Sequence, residues 1–111
     1  MSRPVASADI FQAIADSTRR AILDRLRDGE QPVKQLAEPF EMSLPAISQH
    51  LHILCEAGLV TQRKVGRQRL YRLNPEPLKE VSDWVNPYEQ FWQKKLDALG
   101  EYLEENPCSQ T

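Results

Sequence analysis

Apolar residues recur every three or four positions over most of the chain, which is the spacing of helices that bury one face. A first helix is predicted over Ala8–Ile14 and a second after Asp16, which can cap its start, while Gly29 is suited to end it. Arg19 and Arg20 lie close to acidic residues, so local ion pairs are expected. The predicted apolar positions are Ile10, Phe11 and Ile14 in the first helix and Ile22, Leu23 and Leu26 in the second.

A pair of helices joined by a tight turn is predicted next. Pro32 prevents continuation of the second helix, and a short helix follows around Val33–Glu38. Ser43 is a strong N-cap for a helix that runs to about Ala57 and is closed by Gly58. The apolar stripe of this helix is Ile47, Leu51 and Leu54, and its opposite face presents Pro45, Ser48, Gln49, His52 and Glu56.

Two strand-like runs then surround a short turn. Leu59–Val65 and Gln68–Leu73 flank Gly66-Arg67, which predicts a β-hairpin in which the glycine adopts the positive φ of the turn. Tyr71 and Leu73 share one face of the second strand and are expected to pack inward.

The remainder of the chain is predicted to be helical, with a stripe that repeats at the α-helical period. Asn86–Glu89 resembles a helix start, with an N-cap, Pro87 at the first helical position and a capping glutamate, so a break or sharp kink is expected there. The last residues, 106–111, are expected to fray. The stripe comprises Leu78, Val81, Val85, Tyr88, Trp92, Leu96, Leu99 and Leu103, widened by Trp84, Phe91 and Tyr102.

Length and composition fit one globular domain, with or without a dimerising arm. The chain has 111 residues, of which 41% are hydrophobic and 27% charged. No apolar run is long enough to cross a membrane, and the N-terminus shows no secretory signal. Two cysteines, Cys55 and Cys108, are too few for a disulfide framework, so a reducing, cytoplasmic setting is expected.

Charge is distributed unevenly along the chain. The overall net charge is −2, but residues 43–73 carry five Lys and Arg against one acid, whereas residues 74–111 carry three against eight. A basic segment in an acidic protein is typical of a surface that contacts a polyanion. A solvated hairpin with scattered charges is the alternative interpretation.

The order of elements predicts a mainly α fold with a β-hairpin wing, that is, a winged helix-turn-helix. A helix about 10–12 Å across fits the major groove of DNA, where exposed side chains must be short or hydrogen-bonding. Ser48, Gln49 and His52 meet this requirement, and Ser43 with the free N–H groups beside it suits a phosphate. The wing residues Arg63, Lys64, Arg67 and Arg69 are predicted to contact adjacent backbone or minor groove.

Three segments resemble the ArsR/SmtB family of winged-helix repressors: AIADSTRRAILDRLRDGE, VKQLAEPFEMSLPAISQHLHILCEAGLV and GRQRLYRL, within residues 8–73. The resemblance implies a homodimer, packed through the first and last helices, that represses transcription at a palindromic DNA operator. It places the DNA-contacting recognition positions on Leu44, Pro45, Ser48 and Gln49, and the wing tip on Gly66 and Arg67. The tail, DWVNPYEQFWQKKLDALGEYLEE, resembles the subset whose long last helix dimerises and which lacks metal sites.

This resemblance defines the predicted organisation: a DNA-binding domain over residues 1–74, dimerisation helices in the same structural unit over 75–105, and a flexible tail over 106–111. A stripe this wide indicates a dimer seam, although a small-molecule pocket remains an alternative. The predicted dimer interface comprises Phe11, Trp84, Tyr88, Phe91, Trp92, Leu96, Leu99 and Leu103.

No metal site and no cofactor are predicted. The family's metal sensors place cysteines in the first helix of the helix-turn-helix, where Val33–Ala37 has none, or histidines in the last helix, which has none here. His50 and His52 both lie on the recognition helix. His50 is predicted to be a structural hydrogen-bonding residue, and His52 either contacts DNA or is a solvated surface residue.

Three residues have open alternatives. Cys55 is either a buried small hydrophobe or a redox switch. Cys108, in an acidic tail, is expected to be unreactive, although a disulfide between subunits is possible. Lys34 either contacts phosphate or is a free surface lysine.

No catalytic site is predicted: no residues suggest a catalytic triad, and no glycine-rich phosphate loop is present. Besides a DNA-binding repressor, the sequence allows a winged helix used for protein–protein docking, or a thiol- or ligand-responsive sensor on the same scaffold.

Overall fold

The computed structural model describes residues 9–105, and these form two compact units, one up to Glu80 and one from Val81. The helical residues and the basic hairpin confirm the predicted mainly α fold with a wing. The start of the first predicted helix at Ala8, Cys108 and the predicted tail over 106–111 lie outside the described residues. The elements are α1 (Ile10–Ala13), α2 (Ser17–Leu26), β1 (Gln31–Pro32), α3 (Val33–Ala37), α4 (Leu44–Glu56), β2 (Val60–Val65), β3 (Gln68–Leu73) and α5 (Leu78–Glu105).

Aspartate side chains cap the first two helices. Asp9 accepts a hydrogen bond from the Phe11 N–H at 3.0 Å. Asp16 accepts from the Thr18 and Arg19 N–H groups at 2.9 and 3.1 Å, as predicted for this residue. These bonds satisfy amide groups that have no partner within the helix itself. The α1 helix is shorter than predicted, and it buries Ile10 and Ala13, while Phe11 is only partly buried.

The expected local ion pairs of two arginines are not their main contacts. Arg19 donates from Nε to the Ala13 carbonyl at 2.7 Å and from Nη2 to the Gln12 carbonyl at 3.1 Å. Arg20 donates from Nη1 to the Ile14 carbonyl at 2.9 Å. Carbonyls at the end of a short helix lack intrahelical donors, so guanidinium groups from the next helix satisfy them.

The sheet has three antiparallel strands in the order β1-β3-β2, whereas the sequence predicted only the hairpin of β2 and β3. In the added edge strand, Gln31 pairs with Tyr71 and Pro32 with Leu70. A two-residue strand has no alternation to detect, and a proline is tolerated in a strand only at such an edge or end.

The core of the first unit lies where α2, α3 and α4 pack together and against the sheet. The predicted stripes of α2 and α4 are buried, and Leu59 and Val60 extend the core into the start of β2. The largest fully buried side chains of this core are Ile22, Leu36, Ile47, Leu51, Leu54, Leu59 and Val60.

The predicted break at Pro87 is wrong, because α5 is one helix of 28 residues that runs through this position. The alternative of a sharp kink stays a prediction. A proline inside a helix removes one backbone hydrogen bond and crowds the carbonyl four residues earlier. Helical residues nevertheless continue on both sides of Pro87. The apolar stripe also keeps its period across Pro87, so a single helix preserves one continuous face.

Candidate nucleic-acid interface

The α4 helix is fixed from its inner side and free on its outer side. Ser43 is its N-cap and accepts a hydrogen bond from the Ala46 N–H at 3.2 Å, and Pro45 occupies the first turn, as predicted. Ile47, Leu51 and Leu54 are buried against the core. The predicted recognition positions are all exposed: Ser43, Leu44, Pro45, Ser48, Gln49 and His52.

A polar cluster joins α2 to α4 beneath this exposed face. Nη1 of Arg19 lies 3.3 Å from Nδ1 of His50, and Oδ2 of Asp16 lies 4.0 Å from the same nitrogen. The hydrogen bond from the Arg19 amide is the largest influence that lowers the pKa of Asp16, so this carboxylate is charged at neutral pH. The contact between Arg19 and His50 gives this histidine the structural hydrogen-bonding role that the sequence predicts.

The wing begins and turns at two glycines with positive φ. Gly58 ends α4 at φ +82°, and Gly66 forms the hairpin turn at φ +62°. Asn74 connects the end of the hairpin to its start. Its backbone N–H donates to the Leu59 carbonyl at 2.7 Å, and its side-chain Nδ2 donates to the Gly58 carbonyl at 2.8 Å. Arg67, next to Gly66 at the tip, is exposed as predicted.

The cationic side chains of the wing divide between its two faces. Residues paired across the hairpin share a face, and successive residues alternate between faces. Lys64 pairs with Arg69, two positions from the pair of Gln62 and Tyr71, so these four residues share one face. Arg69 donates from Nη1 to Gln62 at 3.0 Å.

Arg63 does not join the other wing cations. It lies on the opposite face, with Arg72, and donates two hydrogen bonds to Glu30, from Nε at 2.8 Å and from Nη2 at 3.0 Å. This pairing lowers the pKa of Glu30 and raises the pKa of Arg63. The sequence does not identify Glu30 as a partner of Arg63, because the two residues are 33 positions apart and no local pattern connects them.

A cleft of about 650 Å³ lies between α3, α4 and the wing. None of the described residues that line it is acidic. Its polar lining includes Lys34, Ser48, His52, Arg67 and Arg69, and its apolar lining includes Val33, Cys55 and Tyr71. The tertiary structure therefore places Lys34 in the same cleft as the predicted recognition and wing residues. The sequence alone left this lysine as either a phosphate contact or a free surface residue.

Two titratable side chains of α4 have defined surroundings at this cleft. His52 Nε2 lies 3.3 Å from a carboxylate oxygen of Glu56, one helical turn later. Cys55 is a free thiol that is partly buried, and this burial raises its pKa. The thiol is therefore protonated at neutral pH. This agrees with the interpretation of Cys55 as a small hydrophobic side chain.

The second unit is the greater part of α5. Its large apolar side chains occupy an arc of about 140° at 100° per residue. Lys95 also lies in this arc, with Nζ 5.2 Å from the centroid of the Phe91 ring. The members of the predicted interface on this helix are 51–60% exposed in the single chain: Trp84, Tyr88, Phe91, Trp92, Leu96, Leu99 and Leu103.

Two kinds of feature are not found within residues 9–105. No group of three or more His, Cys, Asp and Glu side chains is placed to hold a metal ion in this part of the chain. None of the helices described there is both long and apolar enough to span a membrane.

Comparison with known proteins gives consistent matches. The family model of the bacterial regulatory protein, arsR family, matches residues 16–62. The chain is 38% identical to the HTH-type transcriptional regulator Rv2034 of Mycobacterium tuberculosis over 94 residues. This matched region covers 85% of this chain and 85% of that protein. It is 39% identical over 77 residues to the transcriptional repressor SdpR of Bacillus subtilis, which is 69% of this chain and 86% of that protein.

Solved structures agree with these matches. The crystal structure of an ArsR family transcriptional regulator superposes with a TM-score of 0.67 at 42% identity, covering 76% of this chain and 92% of that chain. The homodimeric winged helix-turn-helix DNA-binding domain Mb0332 of Mycobacterium bovis, a possible ArsR-family regulator, superposes with a TM-score of 0.60 at 29% identity, covering 81% and 82%. These proteins are regulators and not enzymes. The chain belongs to the bacterial ArsR family of winged helix-turn-helix transcriptional regulators.

Proposed function

We propose that this chain is a homodimeric repressor that binds a palindromic DNA operator. The observation that carries the proposal is the exposed outer face of α4 beside the cationic face of the wing, with none of the described acidic residues lining the cleft between them. A polyanion with a helical groove fits both features, because a helix enters the major groove and cations beside it neutralise phosphates.

The outer face of α4 supplies base readout in this proposal. Ser48 and Gln49 are exposed on a helix whose opposite side is buried, so their positions are fixed by the core. Their hydroxyl and amide groups match the donors and acceptors of base edges. His52 lies one turn further on, and Ser43, Leu44 and Pro45 present the start of the helix to the backbone.

The wing supplies sequence-independent affinity. Lys64, Gly66, Arg67 and Arg69 are exposed at the tip or on the face shared with Tyr71, and they contact backbone phosphates or the minor groove. Arg63, which the sequence groups with them, instead links the middle of β2 to Glu30.

Dimerisation places two recognition helices on one operator. The exposed apolar arc of α5 is the proposed interface, with Phe11 contributing from α1, and a second copy would cover both flanks of the arc. The Mycobacterium bovis domain, which is homodimeric, supports this assembly. We also propose that no metal controls repression, because Val33–Ala37 contains no cysteine and α5 contains no histidine, and these residue types are the ligands that soft metals require.

Selection of bound sequences from a random DNA pool tests the function and the assembly together. Enrichment of a palindrome with half-sites centred about 10–10.5 base pairs apart, or a multiple of this, is expected. A Ser48→Ala/Gln49→Ala variant, which keeps the buried face of α4, is the matched control and should not enrich the same palindrome. Failure of the unmodified protein to enrich any sequence contradicts the proposal. Added zinc should leave the selected complex intact.

A further inference from the structure

We propose that the cleft between α3, α4 and the wing binds a small organic anion with an apolar body, and that the bound anion excludes DNA. The exclusion of DNA rests on the proposed function, whereas the binding of the anion does not. The cleft is about 650 Å³, within the range of small-molecule sites.

The rim of the cleft selects negative charge. Lys34, Arg67 and Arg69 line it from α3, the hairpin turn and β3. Arg69 is oriented by its hydrogen bond to Gln62, and within residues 9–105 no hydrogen bond or ion pair holds the charged ends of Lys34 and Arg67. Cations from three separate elements therefore converge on a volume that none of the described acidic side chains lines.

The floor of the cleft selects an apolar body. Tyr71 is buried, and Val33 and Cys55 are partly buried, so these three side chains offer apolar surface below the cationic rim. Burial raises the pKa of both the Tyr71 phenol and the Cys55 thiol, so both groups are neutral at pH 7. The alternating phosphates and sugars of a DNA backbone offer no extended apolar surface to such a floor, whereas an aromatic carboxylate uses rim and floor together.

Occupation of the cleft affects the proposed DNA-binding residues directly. Ser48, Arg67 and Arg69 line the cleft and also belong to the proposed contacts with DNA. An anion bound there neutralises wing cations and fills the space beside the recognition helix. Anion and DNA therefore compete for the same side chains.

The binding test uses 1-naphthoate and the full chain carrying Cys108→Ser, so that Cys55 is the single thiol. The rate of Cys55 alkylation by N-ethylmaleimide at pH 8 is measured by mass spectrometry with increasing 1-naphthoate. We expect a Kd of about 0.1–1 mM and, at ten times that concentration, alkylation about tenfold slower. Neutral 1-naphthalenemethanol lacks the negative charge, and inorganic phosphate lacks the apolar body. Each should therefore protect Cys55 from alkylation about tenfold less well than 1-naphthoate at equal concentration.

A matched pair of variants on one strand locates the site. Arg69→Gln removes a cation from the cleft face of β3 and should weaken protection by 1-naphthoate about tenfold, whereas Arg72→Gln removes one from the opposite face and should not. Absence of protection, equal protection by the neutral analogue, or equal loss in both variants overturns the proposed site.

Displacement of DNA is measured separately, by anisotropy of a labelled operator from the selection experiment. Saturating 1-naphthoate should release the operator from the unmodified protein, and the Arg72→Gln protein should respond equally. Protection of Cys55 without release overturns the exclusion of DNA. A protein that binds no DNA while its Cys55 is protected contradicts the proposed function and leaves the anion site supported.

Discussion

Glu30 accepts two hydrogen bonds from Arg63, at 2.8 and 3.0 Å, and thereby links the residue that precedes β1 to the middle of β2. Arg63 lies on the face of the wing opposite Lys64 and Arg69. Its charge is already balanced by a carboxylate, so we expect it to position the wing and not to contact phosphate.

The salt dependence of DNA binding separates Arg63 from Arg67. Each phosphate contact contributes about 0.9 to the slope of log K against log salt concentration. Arg67→Ala should weaken binding to all sequences and lower the slope by about one unit, whereas Arg63→Ala should leave the slope unchanged. Titrations of a labelled duplex at four salt concentrations give both slopes. A lower slope in Arg63→Ala would place this residue on the DNA.

Gln49→Ala should change base preference and not overall affinity. Gln49 is exposed on α4 beside Ser48, and a side-chain amide discriminates between base pairs by about 1–3 kcal/mol. Competition between the selected operator and its single-base variants measures the change. The prediction requires loss of discrimination at one or two base pairs in each half-site. Uniform weakening across all variants would show that Gln49 does not contact base edges.

Leu99→Glu should prevent dimer formation without unfolding the first unit. Leu99 is 52% exposed near the centre of the apolar arc of α5, and removing a carboxylate from water at a helix interface is strongly unfavourable. Sedimentation velocity should change from a dimer to a monomer, and affinity for the palindrome should fall sharply. Asp97→Glu, on the polar side of the same helix, is the control. A dimer that persists in Leu99→Glu would exclude this face as the interface.

Asp16 should make folding stability depend on pH in the acid range. Its pKa is lowered in the folded chain, chiefly by the hydrogen bond from the Arg19 amide. A lowered pKa stabilises the fold above the unfolded value of about 3.9, and this stabilisation is lost as pH falls through the folded value. Urea unfolding between pH 6 and about 2.5 should show this decrease, and Asp16→Asn should reduce it. Asparagine keeps the cap, so a parallel decrease in both proteins would assign it to other groups.

Pro87→Ala should stabilise α5. The substitution restores an N–H donor within a continuous helix and removes the crowding by the ring, and interior proline costs about 3 kcal/mol relative to alanine. Thermal unfolding followed by circular dichroism at fixed protein concentration should show a higher midpoint. A lower midpoint would indicate that the assembled protein needs the proline at this position.

The sequence by itself determined the parts that depend on local chemistry. Asp16 and Ser43 predicted two helix starts, Gly66 predicted the hairpin turn, and the apolar stripe of α4 predicted which of its faces is exposed. Caps, turns and amphipathic periods involve residues only a few positions apart, so a single sequence contains them in full.

Only the tertiary structure decided which distant residues meet. The partnership of Glu30 with Arg63, the contact of Arg19 with His50 and the assembly of Lys34, Cys55 and Arg69 around one cleft join elements that no local pattern relates. The continuity of α5 through Pro87 has the same origin, because the whole length of the helix, and not four residues, determines whether one lost hydrogen bond ends it. Local propensity sets where an element can begin, and packing over the whole fold sets what its side chains contact.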